Sequence, residues 1–130
     1  MTVEKDELIK YRIERAFDTL EEANLMIING FLNAAVNRTY YACYYAVSGL
    51  LLKSGINAST HKGVRQMFGL HFVQNGLISK ELARYFSDLF DRRQSGDYDD
   101  FILFDKETAE NLVITGREFI KVIEKLIYRG

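Results

Sequence analysis

The sequence contains no proline, only one cysteine and almost no net charge. Without proline, helix breaks must come from glycine and short polar stretches. A lone Cys43 cannot form an internal disulfide, and its apolar surroundings predict a small core residue in a reducing compartment. The formal net charge of −1 provides no global positive field, so any RNA contact must come from a local patch. These properties argue against a general DNA-coating role.

Long apolar runs are also missing. The longest uncharged stretch, residues 39–52, is too short to span a membrane as a helix and carries four tyrosines. The first residues, MTVEKD, have neither the basic start nor the apolar run of a signal peptide. We therefore expect a cytoplasmic protein.

The familiar enzyme motifs are not found in the sequence. It has no P-loop, no dinucleotide-binding glycine motif, no Cys/His zinc spacing and no serine-nucleophile elbow. Asp97, Asp99 and Asp100 invite a metal site, but they lack the glycine and distal glutamate of a calcium loop. We interpret them as a solvated acidic turn, and we expect neither a metal nor a cofactor.

Helical periodicity is the dominant pattern in the chain. Glycine-containing breaks separate five segments, at about residues 3–29, 31–54, 62–74, 79–95 and 106–128. Steps of four and three place apolar residues on one seam of the first segment, namely Ile9, Ile13, Ala16, Leu20, Ala23 and Ile27. The pattern predicts a single all-α domain over residues 1–130, an up-and-down bundle of about five helices in which four long or medium ones form the core.

The second segment is apolar nearly all round its later half, so we expect it to be central in the bundle or covered by a second subunit. Arg38, Tyr41 and Tyr45 share one of its faces at steps of three and four. This face suits a phosphate and a stacked base. The alternative is a packing face whose hydroxyls bond neighbouring helices or water.

An arginine occupies a position where the fourth segment should be apolar. Its stripe runs through Leu82, Phe86 and Leu89, and the next residue on it is Arg93. A guanidinium cannot lose its charge and is costly to bury alone, so it must be paired or serve a ligand. Asp97, one helical step further, is the expected partner, and Tyr98 adds a hydroxyl beside it.

Three blocks of sequence resemble the HEPN domain family. They are NRTYYACYYA at residues 37–46, followed by LLL at 50–52; THKG at 60–63 with the later FVQNG at 72–76; and RQSGDYDD at 93–100. The resemblance runs in order from about residue 8 to residue 126. The last block is similar to the Arg-x-x-x-Asp-Tyr ending of one bacterial branch.

The resemblance implies a helical bundle, usually a homodimer, whose polar motif lines a cleft at the subunit interface. Many members are metal-independent ribonucleases that act as toxins or defence effectors, and others accompany a nucleotidyltransferase. The nuclease version places a histidine four to six residues after the arginine. In this chain Asp97 and Tyr98 follow Arg93, and no histidine comes later.

The missing histidine bears on the chemistry. Aspartate would be a poor general base here, because a neighbouring arginine lowers its pKa. His61 could supply the acid–base group if it faces Arg93, or it could be a capping or surface residue. For His71 a core or surface role is favoured. The leading hypothesis is a nucleotide- or RNA-binding module working with a nucleotidyltransferase. The alternatives are a ribonuclease toxin using Arg93 with Tyr98 or His61, and a structural homodimer.

Overall fold

Five α-helices make up the described part of the chain. The computed structural model describes residues 2–98 and 103–129, with no β-strand among them. The all-α prediction is confirmed. The helices are α1 (Val3–Ile28), α2 (Leu32–Lys53), α3 (His61–Phe68), α4 (Lys80–Tyr98) and α5 (Lys106–Tyr128), and a π-helical turn over Gly69–Val73 extends α3.

The four longest helices alternate in direction. Across the α1–α2 pair Arg12 contacts Ser48 while Glu22 contacts Arg38, so these two helices are antiparallel. Helix α4 is also antiparallel to α2, because Asn33 contacts Gly96 while Tyr41, further along α2, contacts the earlier Arg93. Helix α2 packs against α1, α3, α4 and α5, as expected for a central helix. The up-and-down bundle is therefore confirmed.

Polar side chains cap the first turns of α4 and α5. The hydroxyl of Ser79 accepts a hydrogen bond of 3.2 Å from the amide of Leu82 at the start of α4. The carboxylate of Asp105 accepts one of 2.7 Å from the amide of Thr108 at the start of α5. Gly30, with φ of +81°, follows the end of α1 in the left-handed conformation that glycine favours. The two capping side chains satisfy backbone amides that have no partner within the first turn of each helix.

Two predicted boundaries were wrong. The segment predicted as one helix over 62–74 is α-helical only to Phe68 and then widens into the π-helical turn. The fourth helix does not end at Ser95 but continues through Gly96 to Tyr98. Gly96 is not a break because it permits close packing: a Cβ there would lie 2.8 Å from the ring of Phe104. Its carbonyl also accepts a 3.4 Å hydrogen bond from Asn33.

The seams predicted from periodicity form the core. All six seam residues of the first segment are buried. In α2 the same steps give a seam that is buried except at the partly exposed Leu32, namely Leu32, Val36, Thr39, Cys43, Ala46 and Leu50. Cys43 is completely buried, and this burial raises its thiol pKa to about 12. None of the helices in the described ranges has the length and apolar character needed to cross a membrane.

Candidate functional site

Arg93 lies where the apolar face of α4 meets the tyrosines of α2. Phe86 and Leu89 on that face are buried, and the Arg93 side chain is only 13 % exposed. Its Nη2 donates a hydrogen bond of 3.0 Å to the hydroxyl of Tyr41. The guanidinium carbon lies 5.3 Å from the ring centre of Tyr41 and 5.6 Å from that of Tyr40. Two aromatic rings therefore contact the cation.

Asp97 is the carboxylate that faces Arg93, which confirms the predicted pairing. Its Oδ2 lies 3.2 Å from Arg93 Nε and accepts a 3.0 Å hydrogen bond from Asn37. The Arg93 contact is an ion pair rather than a well-aligned hydrogen bond, because Nε is buried and has no hydrogen-bond partner within the described residues. The charge of Arg93 is thus offset by Asp97.

His61, the first residue of α3, joins the same cluster. Its Nδ1 lies 2.8 Å from the Tyr40 hydroxyl, and its ring centre is 4.4 Å from that of Tyr44. Burial lowers the pKa of His61, and the positive charge of Arg93 lowers it further. The condition set by the sequence, that the start of α3 must face the Arg93 site, is met.

Arginines and tyrosines alternate beyond Arg93 along the α1–α2 face. The guanidinium of Arg38 lies 5.1 Å from the ring centre of Tyr41, and that of Arg15 lies 5.5 Å from the ring centre of Tyr45. Glu22 joins the two cations, 3.7 Å from Arg38 and 3.4 Å from Arg15. We call this surface the arginine–tyrosine face; it consists of Arg15, Arg38, Arg93, Tyr40, Tyr41 and Tyr45.

Sequence reasoning missed Arg15 and Tyr40. Arg15 lies on α1, next to the seam residue Ala16, and a search for basic residues flanking the first seam would have found it. Tyr40 was assigned only to the apolar surface of the second segment. Its hydroxyl was overlooked because nothing local indicates a partner 21 residues away.

Other candidates lie apart from the cluster or outside the described structure. Tyr98 ends α4, but its side chain falls outside the described part of the chain, as do Asp99 and Asp100. His71 is exposed on the π-helical turn. Arg65 lies 3.8 Å from Asp91 and stacks 4.4 Å from the ring centre of Phe90, so its charge is directed toward α4.

Similarity to known proteins agrees with this architecture. A family model described as HEPN domain matches residues 9–126, which is nearly the whole chain. The chain belongs to the HEPN domain family.

Three relatives of this HEPN protein match it over most of their length. A UPF0332 protein of Thermotoga maritima is 40% identical over 95% of the chain and 94% of its own length. "Putative toxin MJ0142" of Methanocaldococcus jannaschii is 37% identical over 88% of the chain and 78% of its own. "Putative toxin MJ0605" of the same organism is 33% identical over 93% and 90%.

Three kinds of group that suit a nucleotide lie together in this cluster. Arg93 and Arg38 offer guanidinium donors, which match phosphate geometry. The rings of Tyr41 and Tyr45 offer surfaces on which a base can stack. His61 adds an imidazole whose pKa is lowered by burial and by the charge of Arg93. Within the described residues, no group of three or more His, Cys, Asp or Glu side chains is placed to hold a metal ion.

Proposed function

We propose that this protein is a nucleotide- or RNA-binding HEPN module of toxin type, in which Arg93 contacts a ligand phosphate. The observation that carries the proposal is the placement of Arg93, only 13 % exposed, between Asp97 and the Tyr40 and Tyr41 rings. Asp97 and the Tyr41 hydroxyl already hold the guanidinium in one orientation, which supports a role in contacting an anion.

The arginine–tyrosine face gives the remaining ligand contacts in this proposal. Arg38 binds a second phosphate, while Tyr41 and Tyr45 stack with bases. Asp97 orients Arg93 and keeps its side chain extended in the absence of ligand. His61 donates a hydrogen bond to the same ligand.

A partner and a second copy of the chain also belong to the proposal. We expect a nucleotidyltransferase as the partner protein and a homodimer of single-domain subunits in the cytoplasm. Two relatives carry the name "Putative toxin", which supports a partner, since a cell that makes a toxin must restrain it. Co-purification of the tagged chain with such a protein from its source cells tests this part separately.

Arg93→Ala with the adjacent Arg92→Ala as control tests the binding role. Arg92 is exposed, so both variants lose one positive charge at neighbouring positions. We expect Arg93→Ala to weaken binding of a mixed, labelled RNA pool by about tenfold. The number of counterions released on binding, measured from the dependence of affinity on salt concentration, should fall by about one. Arg92→Ala should have little effect. Equal affinities for wild type and Arg93→Ala, with both proteins folded, would overturn the proposal.

A metal-independent endoribonuclease is the second candidate function, and the position of His61 favours it. Cleavage of RNA without metal requires an acid–base group and a cation near the phosphate. His61 and Arg93 contact the same two tyrosine rings. Incubation of wild type, Arg93→Ala and His61→Ala with labelled RNA in EDTA decides this point. Cleavage lost in both variants would establish the nuclease, whereas intact RNA with retained binding favours the module.

The third alternative is a structural homodimer, which predicts that Arg93→Ala changes stability or dimerisation and not RNA affinity. If the Arg93–Asp97 pair only fixes the helix end and an interface, its loss alters stability or dimerisation with no RNA affinity to lose. Loss of one member of a fully buried pair costs about 3–5 kcal/mol, and the partial exposure here places the expected cost below that range. Urea unfolding and sedimentation of the same variants therefore accompany the binding assay.

A further inference from the structure

The hydroxyl of Tyr40 lies inside the protein, yet it has a polar partner. Tyr40 is 1 % exposed, and its hydroxyl oxygen lies 2.8 Å from Nδ1 of His61. A tyrosine hydroxyl has one proton to donate, and a buried donor without an acceptor is costly. Nδ1 of His61 is the acceptor that the geometry offers. Donation in the opposite direction, from His61 to Tyr40, would leave the tyrosine proton needing another acceptor.

We propose that Tyr40 donates to Nδ1 of His61 and so fixes His61 as the Nε2–H tautomer, a neutral donor for an acceptor oxygen of the nucleotide or RNA. Tyr40 is then a positioning residue. The ligand group that His61 takes is a phosphate or base carbonyl oxygen. This inference rests on the proposed function for its ligand, but the tautomer can be measured without any ligand.

The surroundings of His61 favour this neutral form. The ring packs 4.4 Å from Tyr44 and edge-on to Tyr41 at 5.6 Å, so burial disfavours an imidazolium. The charge of Arg93 disfavours it too, and both effects lower the pKa of His61. Tyr40 remains a protonated donor, because burial raises the pKa of its hydroxyl well above the ordinary value. Both shifts favour a hydrogen bond in which the Tyr40 hydroxyl donates and Nδ1 of His61 accepts.

Nitrogen NMR of the labelled protein tests the tautomer directly. The chain has only two histidines, and the exposed His71 is an internal reference for an imidazole in solvent. We expect the His61 nitrogens to show a protonated Nε2 and an accepting Nδ1 in wild type. In Tyr40→Phe, which removes only the hydroxyl, this single-tautomer signature should be lost. Tyr128→Phe, at a tyrosine that is 58 % exposed, should leave it unchanged.

Two substitutions of His61 separate donation to the ligand from the contact with Tyr40. Glutamine places an amide donor near the position of Nε2, whereas asparagine places its amide near Nδ1 and leaves nothing to donate to the ligand. We expect His61→Gln to bind the labelled RNA pool nearly as wild type does. We expect His61→Asn and Tyr40→Phe to bind about threefold to tenfold more weakly, the value of one hydrogen bond.

The two proposals fail in distinguishable ways. Wild-type His61 with a protonated Nδ1, or with mixed tautomers like those of His71, would overturn the role of Tyr40 whether or not RNA binds. Equal RNA affinity for His61→Gln and His61→Asn would overturn donation to the ligand. No RNA binding by wild type, with the expected tautomer present, would overturn the proposed function and the ligand of His61, but not the positioning by Tyr40.

Discussion

Asn37 on α2 donates a hydrogen bond of 3.0 Å to the same carboxylate oxygen of Asp97 that faces Arg93. Asp97 is therefore anchored from α2, and its position does not depend on Arg93 alone. A carboxylate held in this way can offset the arginine charge in the empty site and compete with an incoming phosphate. The Asp97 side chain, 28 % exposed, is more accessible than that of Arg93.

Asp97→Asn should separate ligand binding from stability. The amide keeps the size of the side chain but removes the charge that offsets Arg93. We expect RNA to bind about fivefold more tightly, corresponding to about 1 kcal/mol for a partly exposed ion pair, while the midpoint of urea unfolding falls. Fluorescence anisotropy and urea titration give the two quantities. A fall in stability without any gain in affinity would favour the structural role of the pair.

Gly116→Ala should destabilise the bundle. A Cβ at Gly116 would lie 3.0 Å from the hydroxyl oxygen of Tyr85 and 3.3 Å from side-chain carbons of Leu20 and Thr39. Tyr85 has little room to move, because its hydroxyl donates a 2.5 Å hydrogen bond to the carbonyl of Leu112. We expect the free energy of unfolding to fall by about 1–3 kcal/mol in urea titrations.

Gly69→Ala is the matched control for Gly116→Ala. A Cβ at Gly69 would meet nothing within 4 Å, and the backbone there has a right-handed helical conformation. Alanine at such a site reduces the entropy of the unfolded chain and should raise stability by about 0.4–1 kcal/mol. Equal effects of the two substitutions would show that Gly116 is not needed for close packing.

His61 should make the protein less stable as the pH falls. Its pKa is lowered in the folded state, so the unfolded chain binds more protons between the folded pKa and the ordinary value of about 6.5. Stability contributed by neutral His61 is complete above about pH 6.5 and is lost as the pH falls below it. Urea midpoints from pH 7.5 to 5, approximately, should fall less for His61→Gln than for wild type. An unchanged pH dependence would contradict this, and His71→Gln is the control.

Cys43 should be unreactive until the protein unfolds. Burial raises its thiol pKa to about 12, and the thiolate is the form that reacts with thiol reagents. We expect labelling of the native protein to be at least about a hundredfold slower than labelling in urea. Rapid stoichiometric labelling of folded protein would show that α2 opens locally far more often than its burial indicates.

Apolar periodicity predicted the fold because it is repeated over the whole length of each long helix. The long seams of α1, α2 and α5 each repeat the same steps. Every seam residue of α1 is buried, and so is every one of α5, namely Ala109, Val113, Gly116, Ile120, Ile123 and Ile127. The third segment offered too few turns to reveal the π-helical turn. Glycine often ends a helix, but α4 continues through Gly96, where the missing side chain makes room for Phe104. Sequence spacing does not show this contact.

The candidate site was only partly predictable for a related reason. Arg93 and Asp97 are one helical step apart, so their pairing follows from α4 alone. The contacts of Tyr40 with His61, and of Arg15 with Tyr45, join different helices. Such contacts depend on crossing angles and helix rotations, which a single sequence does not specify.

The short connection between α1 and α2 has a consequence for the order of folding. Only residues 29–31 separate these two long helices, so closing the loop between them costs little chain entropy. Contacts between α2 and α5 must close a far longer loop, which slows their formation. We therefore expect the α1–α2 hairpin to form first. The tyrosines of α2 would then already be positioned when α4 packs against them and brings Arg93 into contact.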